Sequence, residues 1–373
     1  MHEKRDFTKG KGEKCKKPQK SLAICRKCCN FARMKCDLIR HIGICAVLLT
    51  VFVLLASCSG SDGDAAENPA VPTTDVDDNS IRFNAGVWRM IQGAPRRATT
   101  YDNAAALQGV GTFTCVAYNK NTTTEYVPAT SVNWADSQWS FEGGKRYWPA
   151  SGALDFFAYL PAAGSLPDYV PAGPTYTADH DVSFTCSSLP MAYSSASPAE
   201  GQGSGLKEFI YAMALDQDKA GTNSTLQPTA GQVALTFQHP FAKIKLQLSS
   251  SQTTIRINTI TFKSIKNNGS FLYDHSETTS TWTPTGDATN FVATLNKDCV
   301  ANEVIGTYLM IPQSWAGEIE VNASWNDWGD TPVAHTLTKT IPATWQAGYS
   351  YAYTFTISPD DLTVNTTNFT EQW

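Results

Sequence analysis

The sequence contains few of the side chains on which catalysis and metal binding depend. Only six of its 373 residues are histidine, and no two of the four beyond residue 57 stand at metal-ligand spacing: His180, His239, His275 and His335. The patterns of serine hydrolases, zinc proteases, phosphate-binding loops and dinucleotide-binding folds are missing. A glycosidase with dispersed carboxylates would leave no such pattern, but the remaining observations favour a protein without enzymatic activity, cofactor or metal.

Cysteine is scarce beyond residue 58, where only Cys115, Cys186 and Cys299 remain. An odd number of widely separated thiols does not indicate a disulfide framework. We therefore expect these three cysteines to be small buried core residues.

Positive charge is concentrated at one end of the chain. Residues 1–57 contain 13 Lys and Arg and 4 Asp and Glu, a formal charge of +9. Residues 58–373 contain 16 Lys and Arg and 30 Asp and Glu, a formal charge of −14, and the two parts sum to the overall −5. The part of the chain that is expected to fold is thus acidic. An acidic domain repels phosphate backbones, so we expect no nucleic-acid partner.

No apolar run is long enough to span a bilayer as a helix, which requires about 20 residues. The longest covers residues 42–56 and follows a basic segment, as in the hydrophobic region of a signal peptide. It ends in Leu55-Ala56-Ser57-Cys58, which resembles the bacterial lipobox. We expect residues 1–57 to be removed and Cys58 to be lipidated, and Met34 is a candidate for the true start.

Residues 58–79 are polar and lack apolar periodicity, which predicts a flexible tether behind the lipidated cysteine. Acidic residues at positions 62 and 64 resemble the surface-export signal of Bacteroidetes lipoproteins. The expected location is therefore the outer membrane, on the cell surface, after a periplasmic lipoprotein intermediate.

Short alternating or apolar runs rich in β-formers recur from residue 80 onward, separated by Gly, Pro, Asn, Asp and Ser. In residues 242–248, Ile244, Leu246 and Leu248 should face a core while the intervening residues face solvent. The pattern leaves room only for short helices, such as one over residues 206–215. This pattern predicts an all-β protein with two tandem β-sandwiches, an N-terminal domain over 80–231 and a C-terminal domain over 232–373.

Ten tryptophans are the most notable aromatic feature of the chain. Most are expected in the core, where aromatic side chains contribute much of the buried area. Trp325 and Trp328 stand in a turn-like segment and are the best candidates for exposed rings that could stack on sugars.

Four motifs, in order, resemble the fimbrillin family of Bacteroidetes, the pilin lipoproteins of the major-fimbria and minor-fimbria type. The first combines residues 145–149 (Lys-Arg-Tyr-Trp-Pro) with 154–161 (Leu-Asp-Phe-Phe-Ala-Tyr-Leu-Pro). The others are residues 237–246, 308–313 (Tyr-Leu-Met-Ile-Pro-Gln) and 345–355 (Trp-Gln-Ala-Gly-Tyr-Ser-Tyr-Ala-Tyr-Thr-Phe). Each motif alone is weak, but their order makes the resemblance specific over about residues 80–373.

The resemblance implies two transthyretin-like β-sandwiches and assembly by donor-strand exchange. In such pilins a protease cuts after an Arg in the loop that follows the first strand, and another subunit fills the groove that this strand leaves. The first strand would cover residues 81–88, with one face formed by Ile81, Phe83, Ala85 and Val87. The cut would follow Arg96 or Arg97, and the uncut alternative would be a solvated loop.

The C-terminal segment after residue 361 leaves two roles open. Leu362, Val364, Phe369 and Trp373 could anchor it as a donor strand in another subunit, or it could fold back as an edge strand. Leu362 and Val364 have even numbers, whereas Phe369 and Trp373 have odd numbers. Because side chains alternate between the two faces of a strand, one straight strand cannot bury all four on one face. This favours a self-packed tail and an accessory or tip pilin.

The resemblance therefore predicts a fimbrial subunit or accessory pilin for cell-surface adhesion, with other pilin subunits as partners. The alternative is a monomeric glycan-binding lipoprotein on the cell surface, suggested by the tryptophan content and the acidic export signal. The sequence does not indicate a particular host or bacterial receptor.

Overall fold

The computed structural model describes residues 79–87, 104–197, 201–202, 206–220, 231–249, 254–299, 303–327, 331–359 and 361–372. Residues 75–373 group into one compact unit. Within the described ranges the chain is almost entirely β-structure, with one short helix, α1 (Ala104–Val110). The predicted all-β class is confirmed. None of the helical residues in these ranges belongs to a helix with the length and hydropathy needed to cross a bilayer.

Twenty-two strands follow one another along the described chain. In order they are β1 (Arg82–Val87), β2 (Thr112–Asn119), β3 (Glu125–Ala135), β4 (Gln138–Phe141), β5 (Leu154–Leu160), β6 (Thr175–Tyr176), β7 (Val182–Cys186), β8 (Ala192–Ser194), β9 (Ile210–Gln217), β10 (Gln232–Phe237), β11 (Ala242–Leu248), β12 (Arg256–Ile265), β13 (Asn268–Asp274), β14 (Thr279–Thr285), β15 (Thr289–Asp298), β16 (Glu303–Met310), β17 (Ser314–Trp315), β18 (Glu318–Trp325), β19 (Val333–Thr340), β20 (Ala343–Thr344), β21 (Tyr349–Ser358) and β22 (Asp361–Gln372).

The first sheet contains seven strands in the order β10-β1-β4-β3-β2-β5-β9. Its two outer strands approach each other, because Gln238 and Tyr211 exchange backbone hydrogen bonds of 2.7 and 3.2 Å just beyond β10. The sheet thereby curls around one apolar core, to which β1, β2, β4, β5, β9 and β10 all contribute buried side chains.

A second core lies between two further sheets, β16-β11-β21-β22 and β19-β18-β12-β15-β8. The alternation predicted for β11 is confirmed, since Ile244, Leu246 and Leu248 are all buried. Burying such a side chain contributes about 1.5–3 kcal/mol each.

A third core lies between the other two. A further sheet, with the strand order β14-β13-β7-β6, contributes buried side chains to it. Strand pairing crosses residue 231 in three places: β1 with β10, β7 with β13 and β8 with β15. The strand β10, which follows the predicted domain boundary, therefore belongs to the first sheet. The exact boundary between two tandem domains stays a prediction.

The helix predicted over residues 206–215 is wrong, because β9 is a strand. Its alternate side chains enter different cores: Ile210 and Ala212 enter the first, and Tyr211 enters the third together with Phe209, which precedes the strand. A strand covered on both faces has a continuous apolar run, which periodicity alone cannot distinguish from a buried helix.

Candidate functional site

The first strand, β1, lies in the interior of the first sheet with a neighbour on each side. On one side all six of its residues pair in parallel with β10, from Arg82 opposite Gln232 to Val87 opposite Phe237. On the other side a single register pair, Phe83 with Trp139, joins it to β4. The strand is therefore held by a complete ladder on one edge and by few contacts on the other.

Alternate side chains of β1 enter the first core, as the sequence predicts. Ile81, Phe83 and Ala85 are 4–5% exposed, whereas Asn84 between them is exposed. Val87 ends the strand, and its side chain lies outside the described part of the chain.

Phe83 is the largest apolar side chain that β1 places in this core. Its ring centroid lies 5.1 Å from that of Phe141, 5.9 Å from Phe156 and 6.0 Å from Phe113, all edge-to-face. Such aromatic pairs contribute about 0.5–1.5 kcal/mol beyond their buried area. A segment that replaced β1 would have to supply an apolar side chain at this position.

The residues just before β1 fasten it to the segment after β4. The Ile81 N–H donates to Arg146 O at 2.7 Å, and Ser80 forms an isolated bridge with Tyr147. The Trp148 N–H donates to Asn79 O at 3.0 Å. These bonds belong to the Tyr-Trp-Pro motif, so this motif holds the entry of the first strand.

The predicted modification sites lie outside the described residues. Arg96 and Arg97 fall between the end of β1 at Val87 and the start of α1 at Ala104, and Cys58 precedes the first described residue. Lipidation and cleavage at these positions stay predictions.

The C-terminal strand β22 forms a hairpin with β21. The register runs without a break from Ser358 opposite Asp361 to Ser350 opposite Phe369 and shifts before Tyr349 meets Gln372. Leu362 and Val364 are 3% and 7% exposed and enter the second core. The side chains of Phe369 and Trp373 lie outside the described part, and β22 is the outermost strand of its sheet among the described residues.

The expectation that Trp325 is exposed is wrong. It is the last residue of β18 and only 4% exposed, and its ring stacks on His335 with a centroid distance of 3.6 Å and an interplanar angle of 5°. The reason is parity, because Ile319 and Val321 precede it on the core face at intervals of two. Trp328 lies outside the described residues.

The three described cysteines are buried, as expected, and none of them is joined in a disulfide. Burial raises the pKa of the Cys186 thiol to about 12 and also raises the pKa of Cys115 well above its usual value. Both thiols are therefore protonated and unreactive near neutral pH. Among the residues described, no three His, Cys, Asp or Glu side chains are grouped so that they could hold a metal ion.

An open groove of about 640 Å³ lies on the surface where the loops of several strands meet. Its walls come from the end of β10, the turn between β13 and β14, the loop between β16 and β17, and the loop between β20 and β21. No sequence motif marks this groove, because its lining residues are spread over about 110 positions, from 238 to 349.

One protein family matches most of this chain. The profile of the fimbrillin-like family matches residues 97–373. No curated protein matches the sequence.

Several solved structures are similar to this chain. A fimbrial protein from Bacteroides vulgatus is 13% identical with a TM-score of 0.50, and the match covers 78% of this chain and 99% of that one. Candidate cell adhesion proteins from Bacteroides ovatus and Bacteroides uniformis are 14% and 16% identical, with TM-scores of 0.48 and 0.46. The matches cover 77% and 78% of this chain and 95% and 97% of theirs. At this identity, the similarity to the Bacteroides vulgatus protein shows a shared fold.

Proposed function

This chain belongs to the fimbrillin-like family, and we propose that it is a fimbrial subunit of the accessory or tip type that assembles by exchange of its first strand. Fimbrial subunits form appendages on the cell surface, and their role is structural and adhesive rather than enzymatic. The partners would be other pilin subunits.

The observation that carries this proposal is the position of β1 between β10 and β4 in the first sheet. Because β1 is interior to its sheet, its removal would expose the unpaired backbone edges of β10 and β4 together. It would also open the core where Ile81, Phe83 and Ala85 were buried. Exposed edges beside an apolar groove bind an extended segment by backbone hydrogen bonds, with alternate side chains filling the groove.

The segment between β1 and α1 is the natural place for the cut. It joins an interior strand to a helix over residues 88–103 and contains Arg96 and Arg97 after Pro95. A loop of this composition suits an arginine-specific protease.

The position of β22 supports the proposed role as an accessory or tip pilin. Leu362 and Val364 are packed in the second core, and β22 pairs with β21 along almost its full length. A segment that is already part of its own sheet is not free to fill the groove of another subunit. The chain would therefore accept a donor strand without donating its own C-terminus.

Export as a lipoprotein completes the proposal. Lipidation at Cys58 would attach the precursor to the outer membrane, and residues 58–79 would form the tether to the folded part. Cutting after Arg96 or Arg97 would break the covalent link to this anchor, and an incoming donor strand could then displace β1 from the groove.

The alternative of a monomeric glycan-binding lipoprotein loses part of its support. It depended on exposed tryptophans, and Trp325 is buried in β18. We therefore keep strand exchange as the proposed function.

The test is the N-terminus of the protein on the surface of its native host, determined by mass spectrometry. We expect a chain that begins at residue 97 or 98, and a precursor beginning at Cys58 when Arg96→Ala and Arg97→Ala are combined. Arg89→Ala, in the same segment, serves as the matched control and should leave processing unchanged. A surface-exposed wild-type chain that retains β1 would contradict the proposal.

A further inference from the structure

The groove beside the loops of the C-terminal half has a lining of unusual chemistry. None of its 16 lining residues is Asp, Glu, Lys or Arg. The chain beyond residue 57 carries 46 such residues, so an uncharged groove of this size is notable on an otherwise acidic protein. His239 also lines the groove, but it is only 5% exposed and its Nδ1 pairs with Glu208 Oε1 at 2.7 Å, so the exposed lining offers a charged ligand no counter-ion.

Aromatic rings form one part of the lining. Trp282 is half-buried, and its indole N–H donates to Pro240 O at 2.6 Å. Its ring packs against Phe241 and Phe271, with centroid distances of 5.2 and 5.5 Å. Tyr273 and Tyr349 are also half-buried and line the same groove. Anchored rings of this kind offer apolar surface at little entropic cost.

Exposed hydroxyl and amide side chains form the other part. They are Gln238, Thr278, Thr279, Ser280, Ser314, Thr344 and Gln346. Each carries both hydrogen-bond donors and acceptors. Tyr211 Oη donates to Gln238 Oε1 at 3.3 Å, which orients that amide at the edge of the groove.

The wall of the groove is held in a fixed shape. Gln313 Oε1 accepts from the Lys266 N–H at 3.0 Å, and its Nε2 donates to Lys266 O at 2.9 Å and Ile311 O at 3.1 Å. Gly348 has a φ of +73°, and its N–H donates to Phe241 O at 3.0 Å. A side chain at position 348 would strain this left-handed backbone. The groove is thus largely preformed.

We propose that this groove binds a neutral oligosaccharide. Sugar rings present C–H faces that pack on aromatic side chains, and their hydroxyls both donate and accept hydrogen bonds, as do the amides and hydroxyls here. A volume of about 640 Å³ lies within the ~300–1,000 Å³ that is usual for small-ligand sites. The absence of charge among the lining residues selects against sialylated, sulfated and uronic-acid sugars.

The groove shares no residue with β1, β4 or β22, although Gln238 directly follows β10, which pairs with β1, and Tyr349 pairs with Gln372 of β22. In the uncut chain it would supply an adhesive specificity without any strand exchange. The proposal can therefore be tested on the isolated full chain without any fimbria.

The probe is an array of neutral mannose, galactose, glucose and N-acetylhexosamine oligosaccharides, with sialylated and sulfated counterparts. The full chain is applied in detergent, and the best neutral ligand is then measured by calorimetry. We expect selective binding of a neutral oligosaccharide and an affinity loss of about tenfold when Gln238→Ala and Gln346→Ala are combined, because two hydrogen bonds are lost. Both side chains are exposed, but Gln238 also accepts from the buried Tyr211 hydroxyl, so the melting temperature of the double variant must match that of the parent chain before the affinities are compared. Gln346→Ala alone leaves that bond in place and should still weaken binding.

Gln138→Ala is the matched control, because Gln138 is exposed on β4 and lies outside the groove. It should leave the affinity unchanged. A synthetic peptide of residues 361–373 tests whether the groove binds an extended chain instead. The proposal would be overturned if this peptide bound the groove and displaced the sugar, or if the chain preferred acidic sugars. It would equally be overturned if no neutral sugar bound at millimolar concentration, or if the double variant kept the affinity of the parent chain.

Discussion

Phe83 is the residue that ties the first strand most firmly to its core. Three aromatic rings surround it within about 6 Å, and the strand has no other large aromatic side chain on that face. A single position therefore dominates the stability that β1 contributes to the uncut chain.

Replacing Phe83 with Ala should destabilise the uncut protein by about 3–5 kcal/mol, because it removes a buried ring and leaves a cavity. Asn84→Ala is the matched control, since Asn84 is the exposed neighbour on the same strand and should change stability by less than about 0.5 kcal/mol. Urea denaturation followed by circular dichroism measures both. Equal stability of the two variants would mean that β1 is not seated as described.

At the scale of elements, β1 and β22 are held in opposite ways. β1 is interior and separates two strands that do not otherwise pair, whereas β22 is the last strand of its sheet and follows β21 through a tight hairpin. Loss of β1 opens a sheet in its middle, but loss of β22 shortens one at its edge. This asymmetry makes the first strand the one whose removal creates a binding groove.

Leu362→Ala should destabilise the isolated subunit by about 2–5 kcal/mol if β22 is part of its own domain, because Leu362 lies in the second core. Asn365→Ala, exposed on the same strand, is the control and should have little effect. Thermal unfolding of the monomer provides the measurement. If Leu362→Ala leaves the monomer unchanged, the segment is free in the subunit, and a donor role regains support.

At the scale of the whole molecule, three shared sheets connect the parts of the described chain before and after residue 231. Strands β7 and β8 pair with β13 and β15, and a third core fills the space between the other two. Phe241 and Tyr169 meet there with ring centroids 5.6 Å apart. The parts are thus joined by packing as well as by the chain.

The sequence predicts the features that depend on local alternation. The strands β1 and β11, the burial of Phe83 and Leu246, and the three buried cysteines follow from periodicity and composition. It does not predict pairing between strands that are distant in sequence, so the place of β10 beside β1 is found only in the structure. Trp325 was misjudged because its neighbours suggested a turn, although the spacing from Ile319 already assigned it to the core face.

The groove could not be predicted for the same reason. Gln238 follows β10, Trp282 lies in β14 and Gln346 lies in the loop before β21, and no motif connects them. Only the long-range pairing of β13 with β7 and of β11 with β21 brings these loops to one place.

The most direct test of strand exchange is a denaturing gel of fimbriae sheared from the native host, run with and without boiling and probed with an antibody to residues 236–373. We expect a high-mass species in the unboiled sample that collapses on boiling to a single chain lacking β1, because an inserted strand resists detergent until heat unfolds the sheet. A single lipidated band that stays with the cells, retains β1 and does not change on boiling would contradict strand exchange.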